Sequence, residues 1–204
     1  VVNMMSFKAK VKGLEFVVLV DESIPAKLMG DDIRLRQILV NLLNNAVKYT
    51  HEGSVTLALS AVTADSDNAV KLHVSVKDTG IGIKEEDLQK LCEPFERIEE
   101  KRNRNIEGTG LGMSITKQLL GLLNSELMVS SEYGVGSEFS FDLVQEIVDE
   151  SPIGNISDYS DAVEENYRHA FEAPDARILL VDDTELNRKV FAGLLKPTGI
   201  QIDE

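Results

Sequence analysis

The stretch that decides the fold is Asp31 to Thr50, DDIRLRQILVNLLNNAVKYT. Its apolar residues (Ile33, Leu35, Ile38, Leu39, Leu42, Leu43, Ala46 and Val47) recur at helical spacing, which predicts one buried helix of about five turns. Asp31 and Asp32 stand where an N-cap and a first-turn acid belong, and Gly53 ends the run. The polar residues are the informative ones. Asn41 and Asn45 are four apart and share a face; Lys48 follows at three, with Tyr49 beside it. Two amides and a lysine on a core helix are costly to bury without partners. Either they fasten a neighbouring segment or they meet a ligand.

Upstream of this helix, Val1 to Lys12 mixes Met, Phe and Lys and reads as the tail of a preceding segment. Leu14 to Val20, LEFVVLV, reads as a strand, and Pro25 and Gly30 bracket a connection into the helix. Downstream, Val55 to Val62 and Val70 to Val76 alternate apolar and polar residues around the turn TADSDN, which predicts an antiparallel hairpin. The second strand runs straight into Asp78-Thr79-Gly80-Ile81-Gly82-Ile83. A short helix, Lys84 to Leu91, should follow, then Glu93-Pro94-Phe95 and a polar loop, Arg97 to Glu107. Gly108-Thr109-Gly110-Leu111-Gly112 opens a helix to about Leu123, and two more strands are expected at Glu126 to Ser131 and Glu138 to Val144.

Acids dominate from Gln145 to Asp175, which reads as a linker. At Ala176 a new domain starts: an apolar strand, Arg177 to Val181, ends in Asp182-Asp183, and a helix follows from Thr184 to about Leu195. The expected division is therefore 1–12 as an upstream tail, 13–145 as the main domain, 146–175 as the linker and 176–204 as the start of a second domain. A strand-helix-strand fragment cannot cover both faces of a sheet, so Arg177 to Val181 is expected to need a neighbouring strand from another surface or chain.

A net charge of −14 argues against nucleic acid or an anionic membrane as the primary partner. The single cysteine, Cys92, excludes an internal disulfide, fits a reducing compartment and, beside Leu88, Leu91 and Phe95, reads as a buried thiol. No apolar run approaches the roughly 18 residues that span a bilayer. A cytoplasmic location is expected, with any membrane anchor of the parent protein upstream of Val1.

Asp78, at the carboxyl end of a strand, can accept a hydrogen bond from an exocyclic amine such as N6 of adenine. Gly80 and Gly82 permit close backbone approach, although a tight strand-to-helix turn would use the same residues. Gly108 to Gly112 offers bare backbone N–H groups at the positive end of a helix, which suits phosphate. It is not a P-loop, because no Gly-Lys-Ser/Thr follows. It is not a dinucleotide fingerprint, because polar loop rather than strand precedes it.

The order NxxxNAxKYT, DTGIGI, EPF, GTGLGMSI and GSEFSF resembles the ATP-binding catalytic domain of sensor histidine kinases, the Bergerat fold, from about Gly13 to Val144. The resemblance implies an α/β two-layer sandwich, a mixed sheet with helices on one face, with ATP and Mg²⁺ as cofactors. It implies that Asn45 coordinates Mg²⁺, that Asn41 and Lys48 lie at the phosphates, that Tyr49 faces the adenine and that Asp78 binds its N6. Gly80 and Gly82 would shape the purine pocket, Phe95 would anchor a lid, and Gly108, Thr109, Gly110, Leu111 and Gly112 would close over the triphosphate. Ser137 stands where the family often has Thr near the base. Arg97, Lys101, Arg102 and Arg104 are lid bases that could meet phosphates.

Relatives of this fold that hydrolyse ATP carry a Glu one helical turn before the Mg²⁺ Asn. Here that position is Asn41, and an amide cannot take a proton from water. The resemblance therefore implies phosphoryl transfer to a histidine on an upstream dimerisation domain. That histidine is not expected among His51, His73 and His169. The final segment, ILLVDDTELNRKV, resembles the opening of a response-regulator receiver domain, a truncated β-α-β fragment, with Asp182 and Asp183 as its Mg²⁺-binding acid pair. The implied whole is the catalytic part of a hybrid histidine kinase in two-component signalling. Its implied partners are ATP, a dimerisation and phosphoacceptor domain, and a receiver domain or response regulator, in a homodimeric parent. The alternative is a non-catalytic nucleotide-sensing or protein-interaction module of the same fold.

Overall fold

The computed structural model describes residues 1–63, 68–88, 90–91, 111–155 and 172–203. Cys92, Phe95, Arg97, Lys101, Arg102, Arg104, Gly108, Thr109, Gly110 and His169, singled out above, lie outside the described residues. The chain divides into two units, Val1–Gly154 and Asn155–Glu204.

The first unit is built on the helix α2, Asp32–Tyr49. Asp31 caps it, its carboxylate accepting from the Arg34 amide at 2.9 Å. At the other end the amide and hydroxyl of Thr50 both donate to the Ala46 carbonyl, at 3.1 and 2.7 Å. Ile38, Leu42, Leu43, Ala46 and Val47 are buried, as the periodicity predicts. Ile33 departs from that prediction and is 73% exposed. At 3.6 residues per turn it falls on the far side of the helix from the stripe through Leu35, Leu39, Leu42 and Ala46.

The sheet comprises β1 Glu15–Val20, β2 Pro25–Met29, β3 Ser54–Thr63, β4 Ala69–Asp78, β5 Met128–Glu132 and β6 Gly136–Pro152. The strand order is β1-β3-β4-β6-β2, with β5 also paired to β6. β1 and β3 are parallel, joined by a connection that contains α2, and the remaining pairs are antiparallel, so the sheet is mixed. The β3–β4 hairpin forms as expected, from Val55 opposite Asp78 to Thr63 opposite Val70.

The face carrying Val55, Leu57, Val74, Val76, Phe139, Phe141 and Leu143 packs in one core with α2, with Met5 and Ala9 of α1 (Val2–Val11), and with Met113 and Leu120 of the helix Gly112–Leu122. Alternate residues point the other way: Lys71, His73, Lys77, Glu138 and Asp142, with Lys71 Nζ and His73 Nδ1 meeting Asp142 at 2.8 and 2.7 Å. A mixed sheet packed on helices is the two-layer α/β architecture expected. Between β4 and β5 lie α3, Glu85–Leu88, shorter than the predicted Lys84 to Leu91, and α4, Gly112–Leu122.

Three expectations are corrected. Val1 to Lys12 is not only a tail: α1 contributes two fully buried residues, Met5 and Ala9, to the main core. The connection at Pro25 is a strand, β2. The linker expected from residue 146 begins later, because β6 runs on to Pro152 and pairs with β2 through Leu28 opposite Ile147 and Met29 opposite Glu146. A small second core of Ile24, Val70 and Leu72, with Leu28, Ile147 and Ile153 packed on it, holds that extension. Ile147 and Val148 stand between Glu146 and the pair Asp149–Glu150, so strand character hides inside an acidic composition.

The second unit contains β7 Arg177–Leu179, α5 Glu185–Leu195, a 3₁₀ turn Lys196–Thr198 and β8 Gln201–Asp203. β7 pairs in parallel with β8, from Arg177 opposite Gln201 to Leu179 opposite Asp203. The neighbouring strand therefore comes from the same chain, correcting the expectation that another surface supplies it; the Arg177 guanidinium bonds both Asp203 oxygens, at 2.8 and 3.0 Å.

Because Met5 is fully buried between α1 and the core, Met5→Ala should lower stability by about 2–5 kcal/mol. Ile33→Ala, on the exposed side of α2, should stay within about 0.5 kcal/mol of the parent. Urea unfolding midpoints of the two variants measure both; equal midpoints would contradict the packing of α1.

Candidate functional site

α2 brings Asn41, Asn45, Lys48 and Tyr49 to one side of the sheet, spread over about 12 Å of helix. At the Tyr49 end, the backbone turns into the loop after β4. The Tyr49 carbonyl accepts from the Ile81 amide at 3.2 Å, and a Cβ on Gly80 would strike that same carbonyl. Gly82 adopts φ 65°, and a Cβ there would collide with the Glu132 carbonyl. The Ile81 carbonyl accepts from Gly134 at 2.8 Å, and the Ile83 amide donates to Ser131 Oγ at 2.8 Å. The loop Asp78 to Ile83 is thus clamped between the end of α2 and the β5–β6 turn.

Asp78 is the last residue of β4, with Ser137 opposite on β6. It is 6% exposed. Burial pushes its carboxyl up from the ordinary aspartate value, against the pull of the Gly80 amide (2.8 Å) and the Ser137 amide, which donate to the carboxylate. Ser137 Oγ lies 3.0 Å from Ser131 Oγ, which also donates to the Gly136 carbonyl at 3.0 Å. Gly136 was not singled out from the sequence beyond its place in a turn. It takes φ 143°, and a Cβ on it would run into the Asp78 carbonyl. Its position one residue before Ser137 was the available signal.

At the other end, α2 meets α4. Asn41 Nδ2 donates to the Gly112 carbonyl at 3.3 Å and to Thr116 Oγ1 at 3.4 Å. Asn45 Nδ2 donates to Met113 Sδ at 3.1 Å. The amide nitrogens therefore fasten a neighbouring segment. Among the described residues, no donor meets either amide oxygen. Lys48 Nζ lies 4.8 Å from the centre of the Tyr49 ring. Leu111 is the N-cap of α4, its carbonyl accepting from the Ile115 amide at 3.0 Å and Ser114 Oγ at 2.9 Å. A Cβ on Gly112 would make only ordinary contact with Asn41, at 3.9 Å, so packing among the described residues does not demand glycine there.

The structure thus gathers Tyr49, Asp78, Gly80, Gly82 and Ser137 at one end, and Asn41, Asn45, Leu111 and Gly112 at the other. His51 is exposed in the loop after α2. His73 is tied to Asp142 on the open sheet face. In the second unit, the Asp182 carboxylate accepts from the Thr184 amide at 2.8 Å and from Asn187 Nδ2 at 3.2 and 3.3 Å, while Asp183 lies 3.5 Å from Thr184 Oγ1. Among the described residues no group of three or more His, Cys, Asp and Glu could hold a metal ion.

Residues 30–147 match the family described as histidine kinase-, DNA gyrase B-, and HSP90-like ATPase. The chain is 38% identical over 199 residues to the autoinducer 2 sensor kinase/phosphatase LuxQ of Vibrio cholerae, covering 94% of this chain and 22% of that protein. It is 33% identical over 211 residues to the sensory/regulatory protein RpfC of Xanthomonas campestris pv. campestris, covering 96% of this chain and 29% of that protein. It therefore spans less than a third of the length of either relative. Among solved structures, full-length ShkA in complex with AMPPNP aligns with TM-score 0.63 and 27% identity over 98% of this chain and 37% of that one. The catalytic domain of histidine kinase ThkA shares the fold, with TM-score 0.55 and 24% identity over 70% of this chain and 88% of that one. With a mixed sheet on helices, an ordered set of sequence motifs and a family match over its larger unit, the chain belongs to the histidine kinase-, DNA gyrase B- and HSP90-like ATPases and carries their ATP-binding domain in its histidine kinase form.

Proposed function

We propose that this chain is the ATP-binding catalytic part of a hybrid sensor histidine kinase. In this reading it holds ATP with Mg²⁺ and presents the γ-phosphoryl group to a histidine on a dimerisation domain outside these residues. The observation that carries the reading is the two-ended site along α2. A buried, acceptor-only carboxylate, Asp78, stands at one end, and two carboxamides with undirected oxygens, Asn41 and Asn45, stand at the other.

The residues fit the group. Asp78 offers an exocyclic amine an acceptor in a wall of close backbone, and Tyr49 supplies an aromatic face beside it. Asn45 offers one hard oxygen, which suits a Mg²⁺ ion held chiefly by phosphate oxygens and water. Lys48 adds a positive charge one turn along the helix from Asn45. When bound, ATP–Mg²⁺ supplies the phosphoryl group and the ion that screens its charge; the chain contributes position and electrostatics. Lys48 steadies anionic charge, Asn41 directs an amide oxygen into the site, and the clamped 78–83 loop fixes the base end.

Asn41 also favours transfer over hydrolysis, since neither its amide nor its α4 partners can take a proton from water. The second unit, with its β7–α5–β8 order and Asp182–Asp183 at the end of the apolar stretch, is read as the opening of a receiver domain. Relatives that match over 94–96% of the chain support placing both units in one parent. A homodimeric, cytoplasmic parent belongs to the same proposal. No helix among the described residues is long and apolar enough to cross a membrane.

Calorimetric titration with a non-hydrolysable ATP analogue should show binding that Mg²⁺ tightens, with the tightening removed in Asn45→Ala. A folded wild type that binds no nucleotide would leave the interaction-module reading in its place. Because burial raises the Asp78 carboxyl above 3.8, its protonation starts at higher pH than for an ordinary aspartate, and analogue affinity should fall on acidification before an ordinary carboxylate would protonate. Asp78→Asn should lose both the affinity and the pH dependence. The effect on folding has the opposite sign. The contribution of Asp78 to stability is fully present below 3.8 and lost as pH rises through the raised value, so wild type should gain stability over Asp78→Asn on acidification. Asn41→Glu should raise steady ATP hydrolysis if a water stands in line with the γ-phosphate; release of inorganic phosphate measures this, and no rise would remove the argument from the missing base.

A further inference from the structure

We propose that Met113 and Thr116 of α4 are positioning residues that fix which way the Asn41 and Asn45 carboxamides face. The inference rests on reading the site as one for ATP–Mg²⁺. An Asn side chain can turn over, exchanging its donor and acceptor ends at little cost unless its neighbours decide. Here they do. The Gly112 carbonyl can only accept. Thr116 Oγ1 donates its one proton to that carbonyl at 2.9 Å and so has only lone pairs left for Asn41. Met113 Sδ has no proton at all. α4 therefore turns three acceptors toward α2, and both amides must answer with nitrogen. Turned over, each oxygen would face an acceptor and each nitrogen would lose its partner.

The consequence is directional. With both nitrogens committed to α4, the carboxamide oxygens, which are the atoms that can ligate a hard cation, are presented away from it. Thr116 and Met113 are themselves buried, at 0% and 9% exposure, and meet the site through the two amides, so they act through them. Nothing in a helical pattern marks them as more than core. Their role follows from where α4 crosses α2.

The test compares the gain in analogue affinity on adding Mg²⁺ among wild type, Met113→Leu, Thr116→Val and Thr116→Ser. Leu and Val keep the shape and remove the acceptor; Ser keeps the hydroxyl. Met113→Leu and Thr116→Val should reduce the Mg²⁺ gain by about tenfold, the scale on which groups behind a metal ligand act, and Thr116→Ser should retain it. An unchanged gain in both variants, or a loss of affinity equal with and without Mg²⁺, would overturn the proposal in favour of simple packing. A second readout needs neither metal nor nucleotide. In the ligand-free protein the side-chain amide resonances of Asn45 should move in Met113→Leu and those of Asn41 in Thr116→Val; resonances that stay in place would overturn the lock. If wild type itself shows no Mg²⁺ gain while the amide resonances move as described, the lock stands and the ATP–Mg²⁺ reading is the one that fails.

Discussion

The structure of the larger unit depends on one constraint: α2 must bury an apolar stripe against the sheet while carrying a row of amides along its flank. The stripe alone would be satisfied by any amphipathic helix of this length. The amides are what select the neighbour. Asn41 and Asn45 need acceptors, and the first two turns of α4 supply a carbonyl, a hydroxyl and a thioether in the right places. The α2–α4 crossing is therefore specified by polar satisfaction as well as by Met113 and Leu120 in the core. One arrangement both fastens the helices and sets the free ends of the amides, so the structural and functional accounts of these asparagines coincide.

The opposite end of α2 is governed by space rather than by polarity. The segment from Asp78 to Ile83 passes close to the Tyr49 carbonyl, to Glu132 and to Gly136, where a side chain at Gly80, Gly82 or Gly136 would collide with backbone. Three backbone segments can converge only because these residues lack a Cβ. The convergence buries Asp78 and raises its affinity for a proton, while the Gly80 and Ser137 amides hold it in place. A carboxylate so placed is costly to the fold, a pattern more often met at sites of function than in passive cores.

What the sequence made legible follows the same physics. α2, the β3–β4 hairpin and the position of Asp78 at a strand end all announce themselves through one-sided burial, which leaves a period in the sequence. β2 and the far half of β6 do not. β2 is short and starts at a proline, and beyond Val144 the strand β6 carries Glu146, Asp149 and Glu150, so its composition resembles a linker while Ile147 and Ile153 pack on the small core of Ile24, Val70 and Leu72. Asn41, Asn45 and the glycines were legible because buried amides and repeated glycines are expensive without a reason. Met113 and Thr116 were not, because a methionine and a threonine in an apolar helix are ordinary until a second helix places amides against them.

α1 shows why a segment with weak periodicity can still be integral. Its lysines face the end of α2. Lys12 Nζ donates to the carbonyls of Val47 and Lys48, at 2.6 and 2.8 Å, and Lys8 Nζ to Asn44 Oδ1 at 3.0 Å. The last carbonyls of a helix lack partners within it and carry the negative end of its dipole, so a lysine there satisfies both needs. Burial lowers the proton affinity of both lysines, yet the partners they meet are acceptors that favour the charged form. The contact reaches further than α1 itself. Lys12 secures the turn that ends in Tyr49, the Tyr49 carbonyl holds Ile81, and Ile81 belongs to the loop that places Asp78. A residue that reads as an upstream tail is therefore linked, through the end of α2 and the Tyr49–Ile81 backbone bond, to the carboxylate at the base end of the site.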